Sequence, residues 1–363
     1  MRIIHLVRSK NWGGGEQYAL DLCQESVKDE NKVTVISRGI PLVDNHFQIS
    51  GIEMKKMPLG GILDFVSPFK LARLIRGLEE KEVIIHVHNF KDAEIVARAK
   101  PLIGNSKIVK LVVTRHLVVR GKRSARWKSI FNAIDRLIFV SELAKREFLS
   151  TNPPIDCGKL AVVHNSITIP GQYENAQPSG LQTPVILLYI GRISPEKGID
   201  VLIQAMSGLK DLPLKLIIAG AGPKEYTDRL YRLAEENGVR EKIEWRGFVE
   251  DRFKIIRESD ICVVPSTTRE SFGLTVIEGM SQARPVITTD NGAQPEIIRD
   301  GTTGILIRPG EPELLSTAIR KLATDPDLCL RIGEEAMKSF KEKFSYPVFY
   351  RKIKNNYISL LQR

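Results

Sequence analysis

Short apolar runs alternate along the chain with segments in which apolar residues recur every three or four positions. The runs are rich in β-branched residues, which is typical of strands, and the periodic segments predict amphipathic helices. Continuous apolar strands that alternate with helices indicate a parallel sheet covered on both faces. The predicted strands form two series: MRIIHLV, KVTVIS, EVIIHVH, KIVKLVVT and RLIFVS, then VILLYIG, LKLIIAG, KIEWRGF, ICVVPS and PVITT.

Two such series predict two doubly wound α/β domains, and 363 residues exceed what one hydrophobic core usually holds. The segment 166–184 is rich in Pro, Gly, Asn, Gln and Ser, which is typical of a linker. We therefore predict a first domain at residues 1–168, a linker at 169–184 and a second domain at 185–345. The periodic segment at 346–363 predicts a helix that completes the first domain.

The composition is ordinary for a soluble globular protein, with 42% hydrophobic and 27% charged residues. The longest apolar runs are too short to span a bilayer, and the N-terminus lacks the features of a signal peptide. The four cysteines are scattered and form no C-x-x-C pair, which favours reduced thiols in a cytoplasmic protein.

The net charge of +11 is unevenly distributed. Residues 1–170 contain 27 Lys and Arg against 17 Asp and Glu, a balance of +10, and the remainder contributes +1. Residues 95–134 contain ten Lys or Arg and no Asp or Glu. Such a segment is either a solvated basic face or a site for an anionic partner: nucleic acid, a membrane surface or a phosphorylated acceptor.

Two loops that follow predicted strands are suited to phosphate. Gly13, Gly14 and Gly15 precede a helix, so the backbone could approach a ligand at a helix N-terminus, although glycines are also common in plain turns. Arg192 and Lys197 flank a turn after the strand VILLYI, where open α/β sheets bind ligands. The planar guanidinium of Arg192 and the ammonium of Lys197 could together hold a diphosphate. Alternatively, both are solvated loop cations without a ligand.

Three histidines lie at or near predicted strand ends. His116 follows the strand KIVKLVVT, and a lone histidine there is either a core residue or a functional one. His86 and His88 alternate onto one face of a strand, so a metal pair is conceivable. No acidic residue or cysteine joins them, and we predict no metal site.

Glu270 and Glu278 stand eight residues apart in RESFGLTVIEGMSQARP. The spacing alone carries no signal, because three other glutamate pairs in polar segments share it. These two bracket an apolar stretch after a buried strand, where a carboxylate is costly unless it is hydrogen-bonded. Ligand hydroxyl groups could supply the bonds, and a helix start between the carboxylates would favour an anion. A glycosidase, in contrast, needs both carboxylates at one anomeric centre.

Several motifs, taken together, match one family. The segment RESFGLTVIEGMSQARPVITTDNGAQPEIIRDGTTGILI resembles the signature region of the retaining, nucleotide-sugar-dependent glycosyltransferases of the GT-B fold, of the family 4 type (glycosyl transferases group 1). LYIGRISPEKGIDVLIQAM, LIIAGAGP and IEWRGFVED fit the same family in its usual order. In the first half, WGGGE, HVHNF, TRH and VVHNSI fit it more loosely.

The resemblance implies a GT-B fold, with two Rossmann-like domains facing a cleft and a C-terminal helix that returns to the first domain. It places the donor in the second domain, with Arg192 and Lys197 on the diphosphate and Glu278 on the ribose hydroxyls. Glu270 would bind the sugar hydroxyls, and His116 of the first domain would reach the donor sugar. These last two residues are the catalytic candidates.

The same resemblance assigns backbone contacts to the donor. Gly13 and Gly14 would close over the phosphates, and the base would lie against residues 246–249, which include Gly247. Backbone N–H groups in the signature segment would cover the sugar and the distal phosphate: Phe272, Gly273, Leu274 and Thr275.

The implied enzyme is a glycosyltransferase of the hexosyltransferase type that retains anomeric configuration. Its donor would be a nucleotide-sugar, with UDP ahead of GDP or ADP, and no metal or other cofactor would be needed because cations offset the departing diphosphate. We expect a glycan or lipid-linked acceptor in bacterial cell-surface polysaccharide or lipopolysaccharide biosynthesis. A nucleotide-sugar epimerase of the same fold is the alternative. A nucleic-acid-binding module would leave the donor motif unexplained.

The segment TRHLVVRGKR is unusually basic for this family. We predict that it contacts an anionic acceptor or the inner membrane surface, and that the protein is cytoplasmic or peripheral on that membrane. We predict no nucleic-acid partner. The candidate basic residues are Arg115, Arg120, Lys122, Arg123, Arg126 and Lys128.

Overall fold

The computed structural model describes residues 1–60, 64–174, 176–178 and 180–362. The chain divides into two compact units: unit 1 contains Met1–His164 and Phe349–Arg363, and unit 2 contains Asn165–Val348. The predicted linker at 169–184 therefore falls within unit 2, although its residues 175 and 179 lie outside the described residues, as do 61–63 and 363 of the predicted first domain.

The segment predicted as a linker is hydrogen-bonded to unit 2. Tyr173 OH donates to Asp251 Oδ2 at 2.5 Å, and Gln182 N donates to Asp260 Oδ1 at 3.4 Å. Just before it, Ser166 Oγ donates to the Phe344 carbonyl at 2.6 Å. Composition did not reveal these bonds, because the partners lie far along the chain.

Unit 1 is built on a seven-stranded parallel sheet in the order β3-β2-β1-β4-β5-β6-β7. The strands are β1 Arg2–Val7, β2 Lys32–Ser37, β3 Glu53–Lys56, β4 Glu82–Val87, β5 Ile108–Arg115, β6 Arg136–Phe139 and β7 Leu160–Val162. The helices are α1 Gly14–Lys28, α2 Pro41–Ile49, α3 Val66–Arg76, α4 Phe90–Ile103, α5 Ala125–Ala133 and α6 Glu142–Leu149.

Unit 2 is built on a six-stranded parallel sheet in the order β10-β9-β8-β11-β12-β13. The strands are β8 Val185–Ile190, β9 Leu214–Ala219, β10 Ile243–Gly247, β11 Ile261–Val264, β12 Val286–Thr289 and β13 Ile305–Ile307. The helices are α7 Ile199–Ser207, α8 Lys224–Glu236, α9 Arg252–Arg257, α10 Leu274–Ser281, α11 Gln294–Ile297, α12 Pro312–Ala323 and α13 Pro326–Lys343.

The predicted parallel sheets are confirmed, but three strands at sheet edges were missed: β3, β7 and β13. Strand β3 reads EMKK and is mostly exposed, so it lacks the apolar run of a central strand. Strands β7 and β13 have only three residues each. Edge strands are covered on fewer sides, and their sequences therefore carry a weaker pattern.

The strand order of each sheet reverses between two neighbouring strands, β1 and β4 in unit 1 and β8 and β11 in unit 2. At such a point the connections leave toward opposite sides, which opens a crevice at the carboxyl ends of the strands. The loops that start there carry Gly13, His88, Lys197 and Glu270. The fold thus places three residues of the predicted site, Gly13, Lys197 and Glu270, at the two positions where such sheets bind ligands.

The final helix, α14 Tyr346–Leu361, belongs to unit 1 from Phe349 onward, which confirms the predicted return to the first domain. Tyr350 OH donates to Asp29 Oδ2 at 2.9 Å, and Lys354 Nζ lies 2.8 Å from the same oxygen. Deeper in the unit, Tyr357 OH lies 2.6 Å from His86 Nδ1.

Most large apolar side chains lie in the cores of the two sheets, each of which packs against its own helices. Among the described residues, no helix combines the length and hydrophobicity that crossing a membrane requires. The four cysteines are unpaired; Cys157 is exposed and the other three are buried.

Gly198 ends the turn between β8 and α7, and two constraints act on it. Its φ of +67° is left-handed, and a Cβ atom there would lie 2.1 Å from the Pro265 carbonyl oxygen. The turn after β8 therefore lies directly against the segment after β11. Gly301 has a similar φ of +69°, but its Cβ would meet no heavy atom within 4 Å.

We expect Gly198→Ala to lower the free energy of unfolding by about 3 kcal/mol, because the left-handed backbone and the clash both oppose a side chain. Gly301→Ala should cost about 1 kcal/mol, since only the backbone conformation opposes it. Urea unfolding of both variants and the parent measures the difference. Equal losses would contradict the close approach at Gly198.

Candidate active site

The turn after β8 places two cations at the carboxyl edge of the unit 2 sheet. Tyr189 OH donates to the Arg192 carbonyl at 2.5 Å, which holds the turn from within the sheet. The Arg192 side chain is 77% exposed, and its Nη2 lies 3.8 Å from Glu196 Oε1. Most of the guanidinium therefore remains available to an outside anion.

Lys197 and Glu270 contact each other. Lys197 Nζ lies 2.5 Å from Glu270 Oε1, and Ser266 Oγ donates to the same oxygen at 2.8 Å. The two side chains are 22% and 23% exposed, so the pair is shielded but reachable. Both contacts use Oε1, which leaves Oε2 for a ligand hydroxyl. The Glu270 backbone is held as well, since its carbonyl accepts from Ala293 N at 3.1 Å.

Helix α10 begins between the two glutamates. Its N-cap residue, Gly273, has a φ of +118°, and no side-chain cap forms at this end among the described residues. Phe272 is 2% exposed and packs edge-on against Phe344, with ring centroids 6.0 Å apart, which holds the turn into the helix. The N–H groups of Leu274 and Thr275 therefore belong to a helix start that can receive an anion.

Glu278 is buried in α10, and its partner is a residue that the motifs did not single out. Arg252 Nη1 lies 2.5 Å from Glu278 Oε1; the Glu278 side chain is 5% exposed and that of Arg252 is 51% exposed. Arg252 is the first residue of α9. No sequence pattern pointed to it, because the pairing depends on how α9 packs against α10.

From the sequence we expected ligand hydroxyls to offset the cost of burying the two carboxylates. The protein instead supplies a cation to each, Lys197 to Glu270 and Arg252 to Glu278. Because a buried carboxylate without a partner is strongly destabilising, these pairs keep the site stable without a ligand. Their separate cations fit two separate binding roles rather than an acid–base couple.

Gly247 lies at the carboxyl end of β10, at the edge of the unit 2 sheet. It has a φ of +63°, and its carbonyl accepts from Gly220 N at 2.7 Å. Beside it, Arg246 Nη1 lies 2.6 Å from Glu258 Oε2. The segment predicted to face the base is thus held by bonds to β9 and to the end of α9.

A cavity of about 190 Å³ opens at the carboxyl edge of the unit 1 sheet. Its wall combines the ends of three strands with the start of α1: Leu6, Val7, Arg8, Ser9, Gly15, Glu16, His88, Asn89 and His116. Gly13 is the N-cap of α1 and Gly14 is its first residue, so both adjoin Gly15. The structure thus brings the glycine loop and His116 to one cavity, although they are distant in sequence.

Four histidines lie together at this cavity, and two of them, His88 and His116, belong to its wall. His5 Nδ1 lies 3.3 Å from His88 Nε2, and His116 Nε2 lies 3.5 Å from His88 Nδ1. His5, His86 and His88 also place one nitrogen each within 4.8 Å of one another, as a metal site requires. However, both nitrogens of His86 are engaged, with Tyr357 OH at 2.6 Å and Thr114 Oγ1 at 2.7 Å. His86 therefore acts as a core histidine, as a satisfied buried ring should.

His5 was not predicted as part of this group. It lies in β1 directly opposite His86 in β4, and this pairing of neighbouring strands is what brings the two rings together. A histidine in each strand was visible in the sequence, but the strand order was not.

These histidines are uncharged at pH 7. Burial, with a smaller effect of the Arg115 charge, lowers the pKa of His116 to about 4. Burial also lowers the pKa of His5 to about 3 and the pKa values of His86 and His88 well below their usual range. A neutral imidazole donates at one nitrogen and accepts at the other, so His116 suits a hydroxyl better than a phosphate.

Two family models match the chain, one in each unit. Residues 172–339 match the model of glycosyl transferases group 1, and residues 12–169 match that of Glycosyltransferase Family 4. The chain belongs to the group 1 glycosyltransferases of the family 4 type. The family predicted from the motifs is thereby confirmed.

Solved structures of glycosyltransferases share the fold. A glycosyltransferase from Rickettsia africae ESF-5 matches with a TM-score of 0.83 at 23% identity, covering 100% of this chain and 99% of that chain. Anabaena HepE in complex with UDP matches with a TM-score of 0.82 at 18% identity, covering 99% of this chain and 100% of that chain. These likenesses confirm the GT-B fold.

Curated relatives match over shorter stretches. The putative glycosyltransferase EpsD of Bacillus subtilis (strain 168) is 37% identical over 156 residues, which are 42% of this chain and 40% of that protein. For eight of the curated relatives, the aligned stretches span between 38% and 59% of those proteins' own lengths.

The basic residues predicted to form one patch fall into two groups. Arg115 is half-buried over the ring of Phe90, 4.6 Å from its centroid, and Arg126 Nε donates to Glu94 at 2.9 Å. These two cations are engaged within unit 1. The other four are exposed and have no ion-pair partner in the described part of the chain: Arg120, Lys122, Arg123 and Lys128. Of these, Lys122 Nζ lies over the ring of Trp127, 5.2 Å from its centroid.

Arg8, in the cavity wall, faces a buried carboxylate. Arg8 Nε lies 3.4 Å from Asp92 Oδ1, and Asn89 Nδ2 donates to Asp92 Oδ2 at 2.7 Å. Burial raises the pKa of Asp92 to about 6, because it outweighs the lowering effect of the Arg8 charge. The folded state therefore holds a proton that the unfolded chain releases at lower pH.

We expect the ionisation of Asp92 to lower the free energy of unfolding as pH rises from about 4 to about 6. The reason is that its pKa in the folded state lies above its pKa in the unfolded chain. Asp92→Asn removes this loss, so its unfolding free energy relative to the parent should rise by about 2 kcal/mol between pH 4 and pH 7. Urea unfolding at both pH values measures the change.

Asp211 provides a control with the opposite sign, because its hydrogen bond with Arg320 lowers its pKa to about 2. Its titration falls between about pH 2 and pH 4, so the stability of Asp211→Asn relative to the parent should stay nearly constant between pH 4 and pH 7. A pH-independent difference for Asp92→Asn would contradict the raised pKa of the buried carboxyl.

Proposed function

We propose that this protein is a retaining glycosyltransferase that moves a sugar from a UDP-sugar to an anionic glycan or lipid-linked acceptor. We place the reaction in bacterial cell-surface polysaccharide or lipopolysaccharide biosynthesis, at the cytoplasmic face of the inner membrane. The observation that carries the proposal is the Lys197–Glu270 pair beside the uncapped start of α10. It brings a cation, a carboxylate and the N–H groups of a helix start together at the binding edge of a parallel sheet.

In this proposal Arg192, Lys197 and the start of α10 hold the diphosphate. Negative charge develops on the leaving diphosphate as its bond to the sugar breaks, and groups already aimed at it stabilise the transition state. The exposed Arg192 guanidinium can form two parallel hydrogen bonds, and Lys197 adds a point charge. We propose that these groups suffice without a metal ion.

The two glutamates hold hydroxyl groups. Glu278 accepts from the ribose through Oε2, since Arg252 already occupies Oε1. Glu270 accepts from a sugar hydroxyl through Oε2 for the equivalent reason. The base lies against residues 246–249, beside Gly247. Anabaena HepE has been crystallised with UDP and with UDP-glucose, which makes uridine the first base to test.

In unit 1 we propose that Gly13 and Gly14 contact phosphate through their backbone and that His116 hydrogen-bonds a hydroxyl of the donor sugar. The neutral ring of His116 and its place in the cavity wall support this role. We propose His116 and Glu270 as the catalytic residues. The exposed cations from Arg120 to Lys128 attract the anionic acceptor or the surface that carries it.

A panel of nucleotide-sugars tests the proposal. We expect UDP to raise the melting temperature, because a ligand at about 100 times its dissociation constant stabilises the folded state by about 2.7 kcal/mol. A UDP-sugar with an extract of lipid-linked glycans should release UDP, and NMR of the product should show the anomeric configuration of the donor.

No thermal shift and no turnover with any UDP-, GDP- or ADP-sugar would overturn the proposal. The matched family models are glycosyltransferases and do not support an epimerase. Conversion of the donor sugar into its epimer without any acceptor would nevertheless show epimerase activity.

Lys197→Ala should lower kcat/KM by about 100-fold, because a preorganised cation at the leaving group is removed. Glu270→Ala should lower it to a similar degree. Lys224→Ala is the matched control, since Lys224 Nζ lies 2.6 Å from Asp228 Oδ2 in an exposed ion pair of the same unit. Steady-state kinetics compares the variants, and circular dichroism checks their fold. Parental turnover by a folded Lys197→Ala variant would refute the diphosphate role.

A further inference from the structure

Helix α4 joins an exposed aromatic group to the basic segment of unit 1. Glu94 and Arg98 lie one turn apart on one face of α4. The Arg98 guanidinium lies 4.7 Å from the ring centroid of Phe65, and its Nη1 donates to the Asp64 carbonyl at 2.9 Å. One turn away, Glu94 accepts from Arg126 at 2.9 Å. The start of α3 and the start of α5 therefore border the same face of α4.

The start of α3 exposes a set of large apolar side chains. Phe65 and Phe69 are each 62% exposed, and Val66 is 52% exposed. The turn is ordered, because Asp64 Oδ1 accepts from Val66 N at 3.0 Å and from Ser67 N at 2.8 Å. Clustered exposed apolar residues on an ordered turn are typical of an interaction site.

The loop before α5 interleaves cations with apolar residues. Leu117 is 62% exposed and Val119 is 42% exposed, and they precede the exposed Arg120. The loop is anchored at Gly121, whose N–H donates to the Phe148 carbonyl at 3.0 Å and whose carbonyl accepts from Thr151 Oγ1 at 2.6 Å. The cations on either side of this anchor are therefore held at the surface.

We propose that residues 65–69 and 117–123 form one docking surface, and that its partner is an anionic lipid bilayer. Cations near such a surface gain electrostatic attraction, and apolar side chains gain by entering the boundary between headgroups and acyl chains. The two segments combine both features. Residues 95–134 contain no Asp or Glu, so no acidic residue of this segment opposes the approach.

The apolar half of the surface favours a bilayer over the other anionic partners. A free phosphorylated acceptor would use the cations but would not require exposed Phe65, Phe69 and Leu117. Single-stranded nucleic acid stacks on aromatic rings, but the aliphatic Leu117 and Val119 offer it no stacking platform. The choice of the inner membrane as the bilayer rests on the proposed function. Binding of the protein to a bilayer, however, requires neither donor nor turnover.

The test is co-sedimentation of the full chain with vesicles in the absence of donor. We expect binding to vesicles of equal parts phosphatidylglycerol and phosphatidylcholine, and at least about tenfold weaker binding to pure phosphatidylcholine. Raising the salt concentration should weaken the binding to the mixed vesicles, because it screens exposed charges. UDP binding, measured separately by thermal shift, reports on the proposed function independently.

Charge-reversal variants test whether the cations of the docking surface contribute to vesicle binding. The triple variant Arg120→Glu, Lys122→Glu, Arg123→Glu should bind the mixed vesicles about 100-fold more weakly. The matched control Lys338→Glu, Lys341→Glu, Lys343→Glu makes the same charge change at exposed positions of α13 in unit 2. It should change binding by no more than about threefold.

Serine substitutions test whether the exposed apolar residues of the docking surface contribute to vesicle binding. Phe65→Ser with Phe69→Ser should weaken vesicle binding by about tenfold. Leu42→Ser with Ile49→Ser is the control, since these residues of α2 are 56% and 87% exposed. An unchanged UDP-induced thermal shift shows that each variant is folded.

Three results would overturn the proposal. They are equal binding to both kinds of vesicle, parental binding by the basic triple variant, and binding of RNA or of a soluble phosphorylated glycan with no binding of vesicles. Vesicle binding without any response to UDP would instead leave the docking surface in place and refute the proposed donor.

Discussion

The contact between Lys197 and Glu270 is the interaction on which the candidate site of unit 2 depends. It joins the turn after β8 to the segment after β11, the two neighbouring strands at which the order of the sheet reverses. Two further contacts support it: the Thr267 N–H donates to the Glu196 carbonyl at 3.0 Å, and Gly198 leaves no space for a Cβ beside Pro265. Backbone and side-chain contacts therefore hold the same two segments together. Lys197 and Glu270 are positioned before any ligand binds.

Internal pairing also explains how a site rich in charge remains stable. Lys197 and Arg252 each hold one carboxylate, so neither Glu270 nor Glu278 is left unpaired. A donor brings negative phosphates and neutral hydroxyls together. In the proposed binding mode Lys197 approaches phosphate and Glu270 accepts a hydroxyl through Oε2, while the contact at Oε1 remains. Neither ion then loses its partner, which avoids the penalty of desolvating an unpaired ion.

The polar groups at the cavity of unit 1 differ from the charged pairs of unit 2. Neutral histidines lie in and behind the wall of this cavity, and the pair of Arg8 with Asp92 includes a carboxyl whose pKa is raised by burial. Neutral imidazoles can orient hydroxyl groups without attracting phosphate. The excess positive charge of the unit lies instead on its surface, where exposed cations and phenylalanines border one face of α4.

The sequence by itself determined the central strands, the parallel sheets, the two units and the motif of unit 2, because these follow from local apolar patterns and from residues adjacent in the chain. Only the tertiary structure decided which distant residues meet: His5 with His86 across two strands, and Arg252 with Glu278 across two helices. It also decided the short edge strands, whose few residues form a strand only because a neighbour offers hydrogen bonds. Periodicity records the burial of a segment, whereas long-range pairing depends on strand order and helix packing, which no local pattern contains.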